Sequence, residues 1–367
     1  MKQKHITRRA FALSSLALTA FALAPFATVG AADPPIPKPD GKPADMTKPV
    51  QVFILLGQSN MLGKGKIAGG EGSLENAVKT KNKYSYLVDD AGAWLERKDV
   101  RFVQYMSGQG PLRNEWMGIK PGVMGPEYGI GNVVGDAIDA PVMILKCCIG
   151  NRSLAWDLLP PGSERYVEGD KVYAGYKDRP DSWPVDPAKG KATEPPPWLD
   201  KNGKPIQWWA GLQYDADVGD AKKALAELDK TYPGATKHEV AGFFFWQGEK
   251  DCGNPVHAAH YEQNLVAFIK SLRKDFNAPN AKFVLATLGE AAKGIGGTEG
   301  TVLEAQLAVD GTSGKHPEFK GNVATVFSNP MAQGGSGNGH YNGNAEVYMN
   351  VGEAMGKAMV ELLSHDQ

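Results

Sequence analysis

The sequence predicts an α/β fold: a parallel sheet of five strands covered by helices on both faces. Five short apolar runs, rich in branched residues, alternate with amphipathic stretches, and strands that alternate with helices build parallel sheets. Roughly 315 residues follow Lys48, enough for one large α/β domain with a substantial core.

The first run, Val52-Phe53-Ile54-Leu55-Leu56, lies between Lys48-Pro49 and Gly57, and reads as a buried parallel strand. The others are Val142 to Leu145, Val240 to Trp246, Lys282 to Ala286 and Val323 to Phe327. Helical patterning covers Ala221 to Lys230, Tyr261 to Phe276, Leu303 to Val309 and a closing stretch, Ala345 to Leu363. Residues 158–213 break this rhythm. They are dense in Pro, Gly and Lys and carry Trp183, Trp198, Trp208 and Trp209. A long irregular insertion is usually functional or disordered, and tryptophan favours order. The expectation is a wall or lid over the site that offers a Trp to a sugar ring. The alternative is that these rings only staple the loop to the domain.

The N-terminus carries a basic start, Arg8-Arg9, an apolar stretch and small residues at Gly30-Ala31-Ala32. Residues 1–32 therefore read as a twin-arginine-like export signal, with a periplasmic or extracellular destination and no stable membrane insertion after cleavage. Residues 33–48, rich in Pro and Lys, read as a stiff solvated linker, and residues 49–364 as the folded domain. The formal net charge is −1 and no basic run occurs, which argues against nucleic acid as partner. Cys147, Cys148 and Cys252 make no disulfide framework. His257 and His260 have a spacing that could hold a metal, but no partnering cluster accompanies them, and no metal or cofactor is expected.

Loops after the strands carry the chemistry: Gly57-Gln58-Ser59-Asn60-Met61, then Ile149 to Leu154, then Gln247-Gly248-Glu249-Lys250-Asp251, and finally Gly337-Asn338-Gly339-His340-Tyr341. Strand ends at one edge of an open sheet bring such groups together. Ser59 reads as both a helix N-cap and a nucleophile, roles that share one geometry. His340, expected to open the last helix, is the candidate base. The Ser59 and Gly150 N–H groups and the Gln247 side-chain amide are the candidate oxyanion donors. Gln58, Asn60, Asn151 and Arg152 are candidate substrate contacts.

These blocks, with Gly125-Pro126-Glu127 between the first two, occur in an order that resembles an SGNH (GDSL-type) hydrolase. The likeness is to the sialate O-acetylesterase-like and acetylxylan-esterase-like carbohydrate esterases. It implies a three-layer α/β/α sandwich with a flavodoxin-like five-stranded sheet, a Ser59 nucleophile, a His340 base, no cofactor, and an acetylated oligo- or polysaccharide as substrate. Two departures stand out. The family's aspartate before the histidine is replaced here by Gly337 and Asn338, which leaves Glu249, or else Asp251, to orient His340; Glu346 is less well placed, and a backbone carbonyl could serve instead. Asn151 also stands where relatives carry a second glycine. The competing expectations are a catalytically impaired carbohydrate-binding protein and an esterase for lipid or aryl esters.

Overall fold

A computed structural model describes residues 35–106 and 110–365. The export signal expected at residues 1–32 lies outside the described residues. Residues 35–45 form no helix or strand, yet Ile36 packs on the domain core and Lys38 pairs with Asp90 at 2.6 Å.

The central sheet contains β1 (Val50–Gly57), β2 (Glu96–Tyr105), β3 (Pro111–Gly118), β4 (Val142–Cys147), β5 (His238–Trp246), β6 (Lys282–Ala286) and β7 (Val323–Val326). Their spatial order is β7-β6-β5-β1-β4-β2-β3. Every neighbouring pair is parallel except β2 with β3. Among the described residues the sheet thus has seven strands rather than five. The two unexpected strands extend it beyond β4, and their sequence hid them. β2 opens Glu96-Arg97-Lys98-Asp99, and β3 is an edge strand with Pro111, Arg113 and Glu115, the charged and proline-bearing composition that protects an edge from pairing.

Continuous apolar strands are what a sheet buried on both faces requires. In β1, Val52, Ile54 and Leu56 enter one core, and Phe53 and Leu55 the other. The first core is closed by α3 (Leu212–Ala226), α4 (Tyr261–Asp275) and α5 (Gly297–Ala308), through residues such as Tyr214, Leu265, Phe268 and Leu303. The second is closed by α2 (Glu127–Ala137) and α6 (Ala345–Ser364), through Ile130, Val134, Val351 and Met355. Each such side chain removed from water contributes about 1.5–3 kcal/mol. α2 escapes sequence reading because Gly129, Gly131 and Gly135 dilute its periodicity. The insertion is ordered: strands 166–168, 171–173 and 182–184 form a small sheet, and Trp156, Leu159, Val172 and Trp183 make a core of their own.

The chain leaves β1 toward β4 on one side and returns as β5 on the other. Open α/β sheets form a crevice at the carboxyl ends of strands where connections part in this way. α1 (Ser59–Leu62) is a single turn at that edge. It is held from below by a buried ion pair, Lys146 Nζ to Glu127 Oε2 at 2.5 Å, with Lys146 also donating to Leu62 O and Glu127 accepting from Gly125 N–H. Breaking a buried pair from one side strands a charge and costs about 3–5 kcal/mol. Lys146→Met is therefore expected to lower unfolding free energy by that amount in a denaturant titration, and adding Glu127→Gln should restore part of it.

Candidate active site

Gly57 ends β1 with φ of +144°, and a Cβ there would collide with Trp246 O. The turn it permits places Ser59 at the sheet edge. Ser59 is the first helical residue, the N-cap position belongs to Gln58, and the Ser59 hydroxyl makes no hydrogen bond with a described residue. The capping role expected of Ser59 is thus not the one it takes, and its oxygen is left for other work.

One cavity of about 900 Å³ is lined by Ser59, Gly150, Asn151 and His340 together with Trp156, Trp198, Asp181 and His257. Gly150 lies against Ser59, since a Cβ on it would sit 3.5 Å from Ser59 Cβ. The backbone N–H groups of Ser59, Gly150 and Asn151 have no acceptor among the described residues. Asn151 takes the left-handed conformation, φ 57°, in place of a glycine.

His340 does not open α6. It begins a left-handed run with Tyr341 and Asn342, with φ of 54°, 52° and 53°. Each such residue costs of order 1–3 kcal/mol, so the surroundings must impose it. Tyr341 is fully buried, stacked on Trp246 at 6.0 Å and edge-on to Tyr348. His340 N–H and Tyr341 N–H donate to Gly337 O and Ser336 O, each at 3.0 Å. Burial, and then the Lys64 ammonium, lower the imidazole pKa and so favour the neutral ring. The ring makes no hydrogen bond with a described residue.

Neither carboxylate expected to orient His340 does so. Glu249 is buried and accepts from Gln58 Nε2 and, at 2.5 Å, from Asn60 Nδ2. Burial, and then the Glu290 carboxylate, push Glu249 up to about 7 against those two donors. Asp251 instead accepts from Leu154 N–H, Ala155 N–H and Gln247 Nε2 at 2.6–2.9 Å, and so pins the loop after β4 to the loop after β5. Burial raises its carboxyl as well.

Gln247 is a correction too. Its amide has two hydrogens, and Nε2 donates to Arg152 O at 2.8 Å and to Asp251 Oδ2. Its Oε1 accepts from Tyr261 OH at 2.9 Å. With both hydrogens engaged and the side chain fully buried, it has none to offer an oxyanion. Asn60 is equally buried: Nδ2 also reaches Gly337 O at 3.1 Å, and Oδ1 accepts from Tyr348 OH. Gln58 lines the cavity, but its amide holds Glu249 and Arg152 N–H. Arg152 turns away onto Trp208, 4.7 Å from its ring centre, and donates to Gln213 Oε1. Of the four expected substrate contacts, Asn151 is the exposed one at the cavity.

Sequence reasoning missed Glu290. Its Oε2 accepts from Gly337 N–H at 3.0 Å, while Asn60, itself held by Glu249, donates to Gly337 O. Buried Glu249 and partly buried Glu290 therefore hold the two sides of one residue of the His340 loop, Gly337, Glu290 directly and Glu249 through Asn60. Glu290 stands in a loop without flanking pattern, so nothing near it in the sequence announces this. His257 and His260 part company: His257 Nε2 meets Asp181 Oδ1 at 3.2 Å, and His260 stacks on Tyr166 at 3.9 Å. Among the described residues no group of three or more His, Cys, Asp or Glu could hold a metal ion. The insertion does wall the cavity, through Trp198; Trp183 lies inside the insertion core and Trp208 under Arg152.

Residues 200–361 match the family model described as carbohydrate esterase, sialic acid-specific acetylesterase. That span holds Gln247, Glu249 and His340; Ser59 and Gly150 precede it. No curated protein matches the chain. Among solved structures it is similar to a protein from Arabidopsis thaliana, at 18% identity over 85% of this chain and 98% of that one, with a TM-score of 0.47. It is also similar to a carbohydrate acetylesterase from Xanthomonas citri, at 13% identity over 86% of this chain and 56% of that one, TM-score 0.45, so the chain spans little more than half of that relative. A third is NanS, at 12% identity over 88% and 99% of the two chains, TM-score 0.46. Residues 200–361, somewhat less than half of the chain, are thus similar to the sialic acid-specific acetylesterase family of carbohydrate esterases.

Proposed function

We propose that the protein removes O-acetyl groups from carbohydrate through an acyl-Ser59 intermediate. The observation that carries this reading is a single cavity at the sheet edge lined by Ser59, Gly150 and His340. In this mechanism neutral His340 takes the Ser59 proton as the hydroxyl attacks the ester carbonyl. Backbone N–H groups of Ser59 and Gly150, with that of Asn151 beside them, hold the tetrahedral oxyanion. His340 then protonates the departing sugar hydroxyl and activates the water that releases acetate. With no carboxylate on the imidazole, the catalytic pair is a dyad whose histidine is aimed by its strained, clamped backbone.

The missing carboxylate also favours a second reading, a carbohydrate-binding protein with impaired catalysis. Acetate release from acetylated polysaccharides and from a chromogenic acetate ester, wild type beside Ser59→Ala, separates the two. Release that depends on Ser59 supports the esterase; polysaccharide binding without release supports the binding protein.

The pH profile offers a further check. The acid limb of kcat/KM reports the base in the free enzyme. Because burial and Lys64 depress the His340 pKa, activity should persist below the usual histidine range and fall only as the imidazole gains its proton. Lys64→Gln removes one cause, so the acid limb should move to higher pH. A limb that stays in place would detach Lys64 from the base.

A further inference from the structure

Part of the cavity lining has a composition the esterase chemistry does not use. Asp181, at the start of the insertion's last strand, is half exposed and shares only Oδ1, with His257 Nε2. Its Oδ2 makes no hydrogen bond with a described residue. His257 is buried, packed edge-on to Tyr173, so the carboxylate is held at a fixed angle. Burial opposes charge on His257, but the Asp181 bond and charge, followed by Asp251 and Asp157, raise its pKa and favour the imidazolium that holds the pair together. Trp198 rests on the insertion core and meets Trp156 edge-on at 6.1 Å, which fixes the orientation of its ring. Asp181, His257, Trp198 and Trp156 line the cavity that holds Ser59.

We propose that Asp181, oriented by His257, and Trp198 form a saccharide subsite: the indole packs against the apolar face of a pyranose while the carboxylate accepts from its free hydroxyls. This rests on the reading of the cavity as that of a carbohydrate esterase and names the wall that selects the substrate. An ionised carboxylate only accepts, so it suits hydroxyl donors and repels a negatively charged sugar group at the same spot. An aromatic ring beside a few placed polar groups is the usual make-up of a specific small-ligand site. The volume of about 900 Å³ lies near the top of the ~300–1,000 Å³ range of ligand pockets, which suits an oligosaccharide better than one acetylated ring.

The test measures binding in the Ser59→Ala background by calorimetry, with partly O-acetylated oligosaccharides from xylan, mannan and sialosides. Ser59→Ala is expected to bind at least one. Adding Asp181→Ala or Trp198→Ala should weaken Kd about 10-fold or more, with unfolding midpoints unchanged. Should either alanine variant lower the midpoint, Trp198→Phe and Asp181→Asn decide instead: the phenylalanine keeps an aromatic face and binding, and the asparagine loses the accepting pair and weakens it. Binding unaffected by any of these changes, or no binding to any of the oligosaccharides, overturns the subsite. Turnover of 4-nitrophenyl acetate by wild type and by Ser59→Ala is measured in parallel. Turnover that does not depend on Ser59 removes the serine mechanism without touching the binding result, so the two failures are distinguishable.

Discussion

Ser59→Ala is expected to lower acetate release by roughly ten-thousand- to a million-fold, with His340→Ala close behind and the double variant scarcely worse than either alone. The hydroxyl and the imidazole act as one unit in the proposed mechanism. Once either is gone the other has no proton to move or no base to move it. What survives is the stabilisation from backbone N–H groups at Ser59 and Gly150, which alanine at position 59 leaves intact. Steady-state turnover on a chromogenic acetate ester measures all three variants. Two single losses that multiply in the double variant would show that the serine and the histidine act separately, and the dyad would have to be abandoned.

Gly337→Ala is expected to lower kcat about 100-fold with little change in KM. Gly337 lies outside the left-handed region, so alanine costs it nothing in backbone conformation. The obstacle is space. A Cβ there collides with the Glu290 carboxylate and lies 2.9 Å from Glu249 Oε1; Glu290 is bonded to Gly337 itself, and Glu249 is held independently by Gln58 and Asn60. Against the fixed Glu249 the backbone at Gly337 is expected to give way, and His340 to shift with it, because its N–H is bonded to Gly337 O. Displacing a reacting group by about 1 Å can cost 100-fold even when binding is preserved. An unchanged kcat would mean that the carboxylates yield and that the clamp does not aim the histidine.

The strands and helices most readily read were those whose own residues carry the pattern. β1 and β5 are unbroken apolar runs because both of their faces are covered, and the register between them, Gly57 beside Trp246, brings their following loops together. β2 and β3 could not be found in this way, since charge and proline at an edge imitate a loop. α3 begins at Leu212, nine residues before the periodic stretch that announced it at Ala221, because its first turns pack through Gln213, Tyr214 and Asp217 rather than through aliphatic residues.

The same division runs through the site. Ser59, Gly150, Asn151 and His340 were singled out from the sequence by residue type and position after strands, and all four line one cavity. Roles that depend on where a side chain points were decided by packing. Gln247 was expected as an oxyanion donor and Asn60 and Arg152 as substrate contacts, but Gln247 and Asn60 have their amides engaged in joining one loop to another, and Arg152 turns to Gln213. Glu249 lies beneath Gln58 and Asn60 instead of behind His340. Glu290 reaches the His340 loop from 47 residues away. A linear pattern records residue type and spacing along the chain. It does not record which of several acceptors a buried donor will meet, and burial makes that choice obligatory because an unpaired polar group there costs about 1–3 kcal/mol. Sequence therefore determined the chemistry on offer, and only tertiary structure decided which groups remain free to use it.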